Sequence, residues 1–148
     1  MFRWIVAVIH ALSSAAWFGA MFYSLTTLHP RARAYFREDS DLEEFIATVA
    51  QGARWKVLLA FVLMGFSGVL LAFLSNWSQT EWYFIVVKAL LWLIALLIFS
   101  YGSWTLWPRR IFASPAEVPS FRARFRAIAI TLITIAAAAI ALGVALEM

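Results

Sequence analysis

Residues 82–106 read WYFIVVKALLWLIALLIFSYGSWTL, a run whose single charged side chain is Lys88. A helix that crosses the hydrocarbon core of a bilayer needs about 20 mostly apolar residues, and this run is long enough. Three other stretches of the chain, at about 4–28, 57–74 and 127–146, have the same character. The sequence therefore predicts an all-α fold, an integral membrane four-helix up-down bundle with short loops.

Two prolines predict where the first and third spans end. Proline removes a backbone donor, and its ring clashes with the preceding helical turn. We therefore expect the first span to close at His29-Pro30 and the third span to stop at Trp107-Pro108.

The composition supports a membrane protein. Of the 148 residues, 64% are hydrophobic and 14% are charged, whereas soluble domains are near half apolar and a quarter charged. The chain has no cysteine, which excludes a disulfide framework, a thiolate metal site and c-type haem attachment. The length predicts a single transmembrane domain over 1–148, and no internal repeat is evident. Because the arginines flank apolar spans, we expect no nucleic acid partner.

The polar stretch between the first two spans predicts an amphipathic helical extension at about 41–53. Ser40 and Glu43 have the spacing of a capping box. Apolar residues follow at helical intervals, namely Leu42, Phe45, Ile46 and Val49.

The distribution of Lys and Arg predicts the orientation, because cytoplasmic loops are enriched in both residues. The first and third loops carry five each, and the second loop, 75–81, carries none. We therefore expect a multi-pass protein of the inner membrane with both termini on the periplasmic or extracellular side.

Two ionisable residues lie inside predicted spans, His10 and Lys88. Such residues are costly in hydrocarbon, so each one is a hypothesis for a functional site. His10 follows Trp4 by six residues and Lys88 follows Trp82 by six, which places both about 9 Å below the outer surface.

Structural interpretations of both residues stay open. Lys88 can extend its ammonium toward the interface or share charge with Glu81. His10 can be a neutral core histidine that is hydrogen-bonded to Ser13, to Ser14 or to a facing helix.

Helical spacing places each of these residues on an aromatic stripe. The two stripes are His10, Ser14, Trp17 and Met21, and Lys88, Trp92, Ala95, Phe99 and Gly102. A polar group above such a groove suits a flat amphipathic molecule such as a porphyrin or a quinone, although the same stripes also describe ordinary packing. The candidate cofactor-binding residues are therefore His10, Lys88, Trp17 and Trp92.

Haem ligation by two histidines of one chain is excluded. His10 and His29 are separated by nearly 30 Å along one helix, so they cannot share an iron. A single-histidine haem, or a dimer that supplies His10 twice, remains open.

The sequence resembles two groups of bacterial membrane proteins, the HemJ-type protoporphyrinogen oxidases and the membrane domain of copper-resistance D-type proteins. The resemblance lies in HALSSAAWFGAMFY (10–23), in the Ser67-Gly68 notch of the second span, and in WYFIVVKALLWLIALL (82–97) followed by a basic loop. The HemJ-like resemblance implies haem b whose iron is held by His10, oxidation of a porphyrinogen, and a contact of Lys88 with a propionate. The copper-resistance resemblance implies copper handling at the outer face.

Two other function classes stay open besides a haem or porphyrin protein, and it is also open whether the chain is an enzyme. Small-residue ridges such as Ala7, Ala11, Ala15 and Gly19 favour close helix packing, which fits a non-catalytic accessory subunit of a larger membrane complex. Transport of copper or another cation is the third hypothesis. The expected partners are membrane lipids and either a second copy of the chain or such a complex.

Overall fold

The computed structural model describes residues 1–145, and all regular structure in that range is helical. Its four long helices are α1 (Phe2–Tyr35), α2 (Asp39–Leu74), α3 (Gln79–Ile111) and α4 (Val118–Ala145), each long and apolar enough to cross a membrane. The predicted fold class, an all-α membrane four-helix bundle, is confirmed, and the chain is a multi-pass membrane protein. Leu146, the predicted last residue of the fourth span, lies outside the described residues.

The prediction that two prolines end their helices is wrong. Helix α1 continues through Pro30 to Tyr35, and α3 continues through Pro108 to Ile111. A π-helical turn comes just before each proline, at Ser24–Leu28 and at Tyr101–Leu106. Because a π-turn shifts the local hydrogen-bond register, it gives the proline ring room inside a continuous helix.

The predicted amphipathic extension is helical and continuous with the second span. Helix α2 begins at Asp39, and Leu42 and Ile46 are buried. Phe45 packs against Phe36 at 5.3 Å between ring centroids. The helix therefore begins two residues before the expected start near Asp41.

The chain divides into two compact units, Met1–Gly68 and the part from Val69 onward. In the first unit Trp17 packs on Phe61 and His10 bonds Ser67, so α1 and α2 run antiparallel. We call this pair the N-terminal hairpin.

The second unit contains a matching antiparallel pair. Lys88 lies beside Gly143, and Trp107 packs on Phe125 at 5.6 Å between ring centroids. We call this pair, α3 with α4, the C-terminal hairpin.

The first helices of the two hairpins, α1 and α3, are an internal repeat in sequence, which the sequence-based expectation of no repeat missed. When α1 is shifted by 78 positions onto α3, the π-turns coincide and His10 falls on Lys88. Nine positions between Trp4 and Arg31 are identical to their equivalents, namely Trp4, Val8, Ala11, Leu12, Tyr23, Thr27, Leu28, Pro30 and Arg31. The shared pattern Tyr-x3-Thr-Leu-x-Pro-Arg marks the π-turn in both copies. The first helices of the two hairpins therefore share a residue pattern and the position of the π-turn.

In the link between α3 and α4, a serine and a glutamate are hydrogen-bonded to each other. The backbone N–H and the hydroxyl of Ser114 donate to Glu117 Oε2 at 2.9 and 2.7 Å. Glu117 is exposed and lies just before α4. The Ser114 hydroxyl, followed by the Ser114 backbone N–H, lowers the pKa of the Glu117 carboxyl, because both bonds favour the charged form.

We expect Ser114→Ala to raise the pKa of Glu117 toward its ordinary value of 4.5. A carboxyl whose pKa is depressed in the folded state stabilises that state above the unfolded pKa, and this contribution is lost as the pH falls through the folded pKa. The relevant window is therefore below about pH 4.5. A carboxyl ¹³C NMR titration measures the shift, with Ser120→Ala as the control. An unchanged Glu117 titration in Ser114→Ala would contradict the assignment.

Candidate functional site

His10 is held by hydrogen bonds inside the N-terminal hairpin. Its Nδ1 lies 3.0 Å from the carbonyl oxygen of Met64 and 3.1 Å from the hydroxyl oxygen of Ser67. Both partners are on α2, so the side chain crosses from one helix of the pair to the other. Among the sequence-based alternatives, the structure shows hydrogen bonding to a facing helix.

The partners of Nδ1 fix where the ring carries its hydrogen. The Met64 carbonyl can only accept, and Ser67 donates its own hydroxyl hydrogen to the Leu63 carbonyl. Nδ1 is therefore the donor toward both oxygens. In the neutral imidazole this leaves the lone pair on Nε2, the tautomer that ligates a metal through Nε2.

The hydroxyls of Ser13 and Ser14 donate to backbone carbonyls of α1 rather than to the His10 ring. Ser14 donates to the His10 carbonyl at 2.7 Å, and Ser13 donates to the Ile9 carbonyl at 2.7 Å. These bonds satisfy the hydroxyls within α1. The imidazole is therefore oriented by its hydrogen bonds to α2.

Gly68 gives the imidazole its space. A Cβ built on Gly68 would lie 3.2 Å from His10 Cε1, closer than ordinary van der Waals contact. A side chain at this position would press on the ring, so Gly68 is a positioning residue for His10. The Ser67-Gly68 notch was visible in the sequence, but its contact with His10 was not.

Trp17, two turns beyond His10, lies in the core of the N-terminal hairpin. It is 4% exposed, and its ring packs on Phe61 at 4.7 Å between centroids with a 54° tilt. Its indole Nε1 is buried and has no hydrogen-bond partner within residues 1–145. Leaving such a donor unpaired costs about 1–3 kcal/mol, so an acceptor from a ligand or a water would stabilise this position.

Lys88 lies in the C-terminal hairpin and extends toward the end of α4. A Cβ built on Gly143 would lie 3.1 Å from Lys88 Nζ. The ammonium therefore rests in a glycine notch of α4, where a larger side chain would press on Nζ. This position is equivalent to that of His10 beside Gly68 in the other hairpin.

The rest of the α3 stripe is partly a packing surface. Ala95 and Gly102 are buried, and Trp92 is half-buried. A Cβ on Gly102 would meet Ile128 of α4 at 3.7 Å. Of the four predicted cofactor-binding residues, Lys88 and Trp92 thus lie on α3, and His10 and Trp17 lie on α1. Each hairpin therefore holds two of them.

Arg110 is a buried cation that sequence-based reasoning counted only toward orientation. It is 8% exposed, and its guanidinium lies 5.4 Å from the Trp107 ring and 5.3 Å from the Phe125 ring. Cation–π contacts of this kind stabilise a partly desolvated guanidinium. The sequence signal for this cation–π contact was Trp107, three positions before Arg110 in Trp107-Pro108-Arg109-Arg110.

Within residues 1–145 no three His, Asp or Glu side chains come together as a metal site. The N-terminal hairpin contains two histidines, His10 and His29, and His10 is the candidate ligand because its ring is hydrogen-bonded to α2.

Comparison with known proteins adds no family to this description. The chain matches no protein-family model, no curated protein and no solved structure.

Proposed function

We propose that this membrane protein binds a haem or a related porphyrin through His10. The observation that carries the proposal is the pair of hydrogen bonds from Nδ1 to Met64 and Ser67, at 3.0 and 3.1 Å. Histidines that ligate metals almost always donate their second ring N–H to a carbonyl or a carboxylate, which fixes the ring and raises its basicity. His10 has this arrangement toward the Met64 carbonyl.

The residues around His10 fit such a group. When the His10 ring is neutral, its lone pair lies on Nε2, the atom that would hold the iron. The indole Nε1 of Trp17, about 10 Å farther along α1, is buried without a partner within residues 1–145, so a hydrogen-bond acceptor on a bound group would stabilise it. A bound haem supplies one-electron chemistry; the chain contributes the ligand, its orientation and the apolar surroundings.

The role of Lys88 as a propionate partner rests on the resemblance to HemJ-type proteins. The ammonium contacts the Gly143 region, which also suits a structural cation. The proposed setting is the inner membrane, with both termini outside and His10 near the outer face. It is supported by the arginine-rich first and third loops and the positive-inside rule.

The first test is the absorption spectrum of the full-length protein purified from haem-replete cells. We expect a Soret band and reduced-minus-oxidised peaks that are lost in His10→Ala and kept in His29→Ala, the matched histidine control. His10→Gln retains an N–H donor toward Met64 but ligates iron poorly. It should therefore fold like the wild type and still lose the spectrum.

Two outcomes would overturn the proposal. One is a colourless wild-type protein under haem-replete conditions. The other is a spectrum that survives in a folded His10→Gln variant, as judged by size-exclusion chromatography and circular dichroism.

A non-catalytic accessory subunit is the second candidate. At most 17% of the most apolar window of any of the four helices is buried, and Ala11, Ala15 and Gly19 lie on an exposed face of α1. Small-residue ridges of this kind allow a neighbouring helix to approach closely. Co-purification of a stoichiometric partner in mild detergent would support this candidate, and a monodisperse homomer would count against it.

A further inference from the structure

An open groove lies beside the π-turn of the N-terminal hairpin, away from His10. Its volume is about 520 Å³. The residues that decide its chemistry are Tyr23, Leu28, Arg31, Tyr35, Phe36 and Phe45. It is thus formed by the second half of α1 and the start of α2.

A groove beside the π-turn occurs in both hairpins. Because a π-turn shifts the side chains out of their usual helical rows, the surface beside it is uneven. The C-terminal hairpin has a groove of about 440 Å³ beside its own π-turn. Tyr23 and Tyr101, equivalent residues of the repeat, line the two grooves.

The chemistry of the two grooves differs in one respect. Arg31 lines the groove of the N-terminal hairpin, and no acidic residue is among its lining residues. The lining residues of the other groove include no charged side chain. The first groove therefore combines a cation with an apolar wall, whereas the second has only the wall and two hydroxyl groups.

Aromatic packing stabilises the wall of the first groove. Tyr35 meets Phe36 edge to face at 5.1 Å between ring centroids, and Phe36 packs on Phe45 at 5.3 Å. These contacts join the end of α1 to the start of α2. The wall is therefore a fixed surface between two helices.

We propose that this groove binds an anionic phospholipid. The groove lies where the apolar run of α1 gives way to charge, with Leu28 on the membrane side and Arg31 as the first charged residue after it. Arg31 supplies a guanidinium, which matches phosphate oxygens in a bidentate geometry, and tyrosine hydroxyls can donate further bonds. Tyr23 and Leu28, on the membrane side of Arg31, offer an apolar surface to an acyl chain, a contact that a soluble anion lacks.

The test is a lipid titration of the full-length protein in detergent, followed by native mass spectrometry. The probes are phosphatidylglycerol and phosphatidylcholine with the same acyl chains. We expect the first phosphatidylglycerol to bind about fivefold more tightly, a ratio typical of one arginine near an anionic surface. Arg31→Gln should remove this preference.

Arg109→Gln is the matched control. Arg109 is the repeat equivalent of Arg31, is also exposed, and is not among the lining residues of the second groove. The control loses the same charge and should keep the preference. Ala34→Phe, which adds a ring within the first groove without changing the charge, should also weaken phosphatidylglycerol binding.

Three results would overturn the proposal. These are equal affinities for the two lipids, equal losses in Arg31→Gln and Arg109→Gln, and displacement of the lipid by inorganic phosphate at matched concentration. The last result would identify a soluble anion as the occupant. None of these readouts depends on haem, so the lipid site and the haem proposal fail independently.

Discussion

Phe61→Ala is expected to lower the free energy of unfolding by about 2–4 kcal/mol, the largest effect of a single substitution in the N-terminal hairpin. Phe61 is fully buried, and its ring packs on Trp17 at 4.7 Å between centroids. Truncation removes this aromatic contact and leaves a cavity. The estimate is below the range for soluble cores because a membrane protein unfolds into lipid, where transfer of apolar surface contributes little.

The measurement is unfolding in detergent, either by SDS titration or by steric trapping. Phe66→Ala is the matched control, since Phe66 lies on the same helix and is 66% exposed. We expect the control to change stability by less than about 0.5 kcal/mol. Equal losses in the two variants would contradict the assignment of Phe61 to a packed core.

The four spans could be predicted from the sequence because membrane insertion depends on the length of an uncharged run, a local property. The helix ends at the two prolines could not. The sequence predicted that each helix ends at its proline. The π-turns at Ser24–Leu28 and Tyr101–Leu106 instead allow each helix to continue. The pattern Tyr-x3-Thr-Leu-x-Pro-Arg accompanies both π-turns, but no general residue rule predicts such a change of hydrogen-bond register.

The candidate site was predicted only in part for a related reason. The sequence identified His10 and Lys88 as candidate site residues because their ionisable groups lie inside apolar runs. Their partners, Met64 and Ser67 for His10 and the Gly143 region for Lys88, depend on which helices pair. Helix pairing is set by packing over distant parts of the chain, and periodicity in one helix does not report it.

The repeat explains one observation that the sequence had left unconnected. His10 and Lys88 each follow a tryptophan by six residues and precede a proline by twenty. The equal depth predicted for them therefore follows from their equivalent positions in the two copies. The repeat was hard to see because most positions exchange one apolar residue for another.

Gly68→Val is expected to destabilise the protein by about 1–3 kcal/mol, the usual cost of inserting atoms into a packed interface. The new Cβ would lie 3.2 Å from His10 Cε1, and the γ methyl groups would reach farther toward the ring. The imidazole must then move away from Met64 and Ser67. The hydrogen bonds of Nδ1 should be lost together with the stability.

Gly52→Val and Gly19→Val are the matched controls, because a Cβ at either glycine meets nothing within 4 Å. Valine has a higher helix propensity than glycine by a few tenths of a kcal/mol, so the controls should be neutral or slightly stabilising, opposite in sign to Gly68→Val. Histidine ¹⁵N NMR separates positioning from mere destabilisation, since only Gly68→Val should change the Nδ1–H signal of His10. An unchanged His10 signal in a folded Gly68→Val variant would show that α2 does not position the ring, and the argument for His10 as an oriented ligand would fail with it.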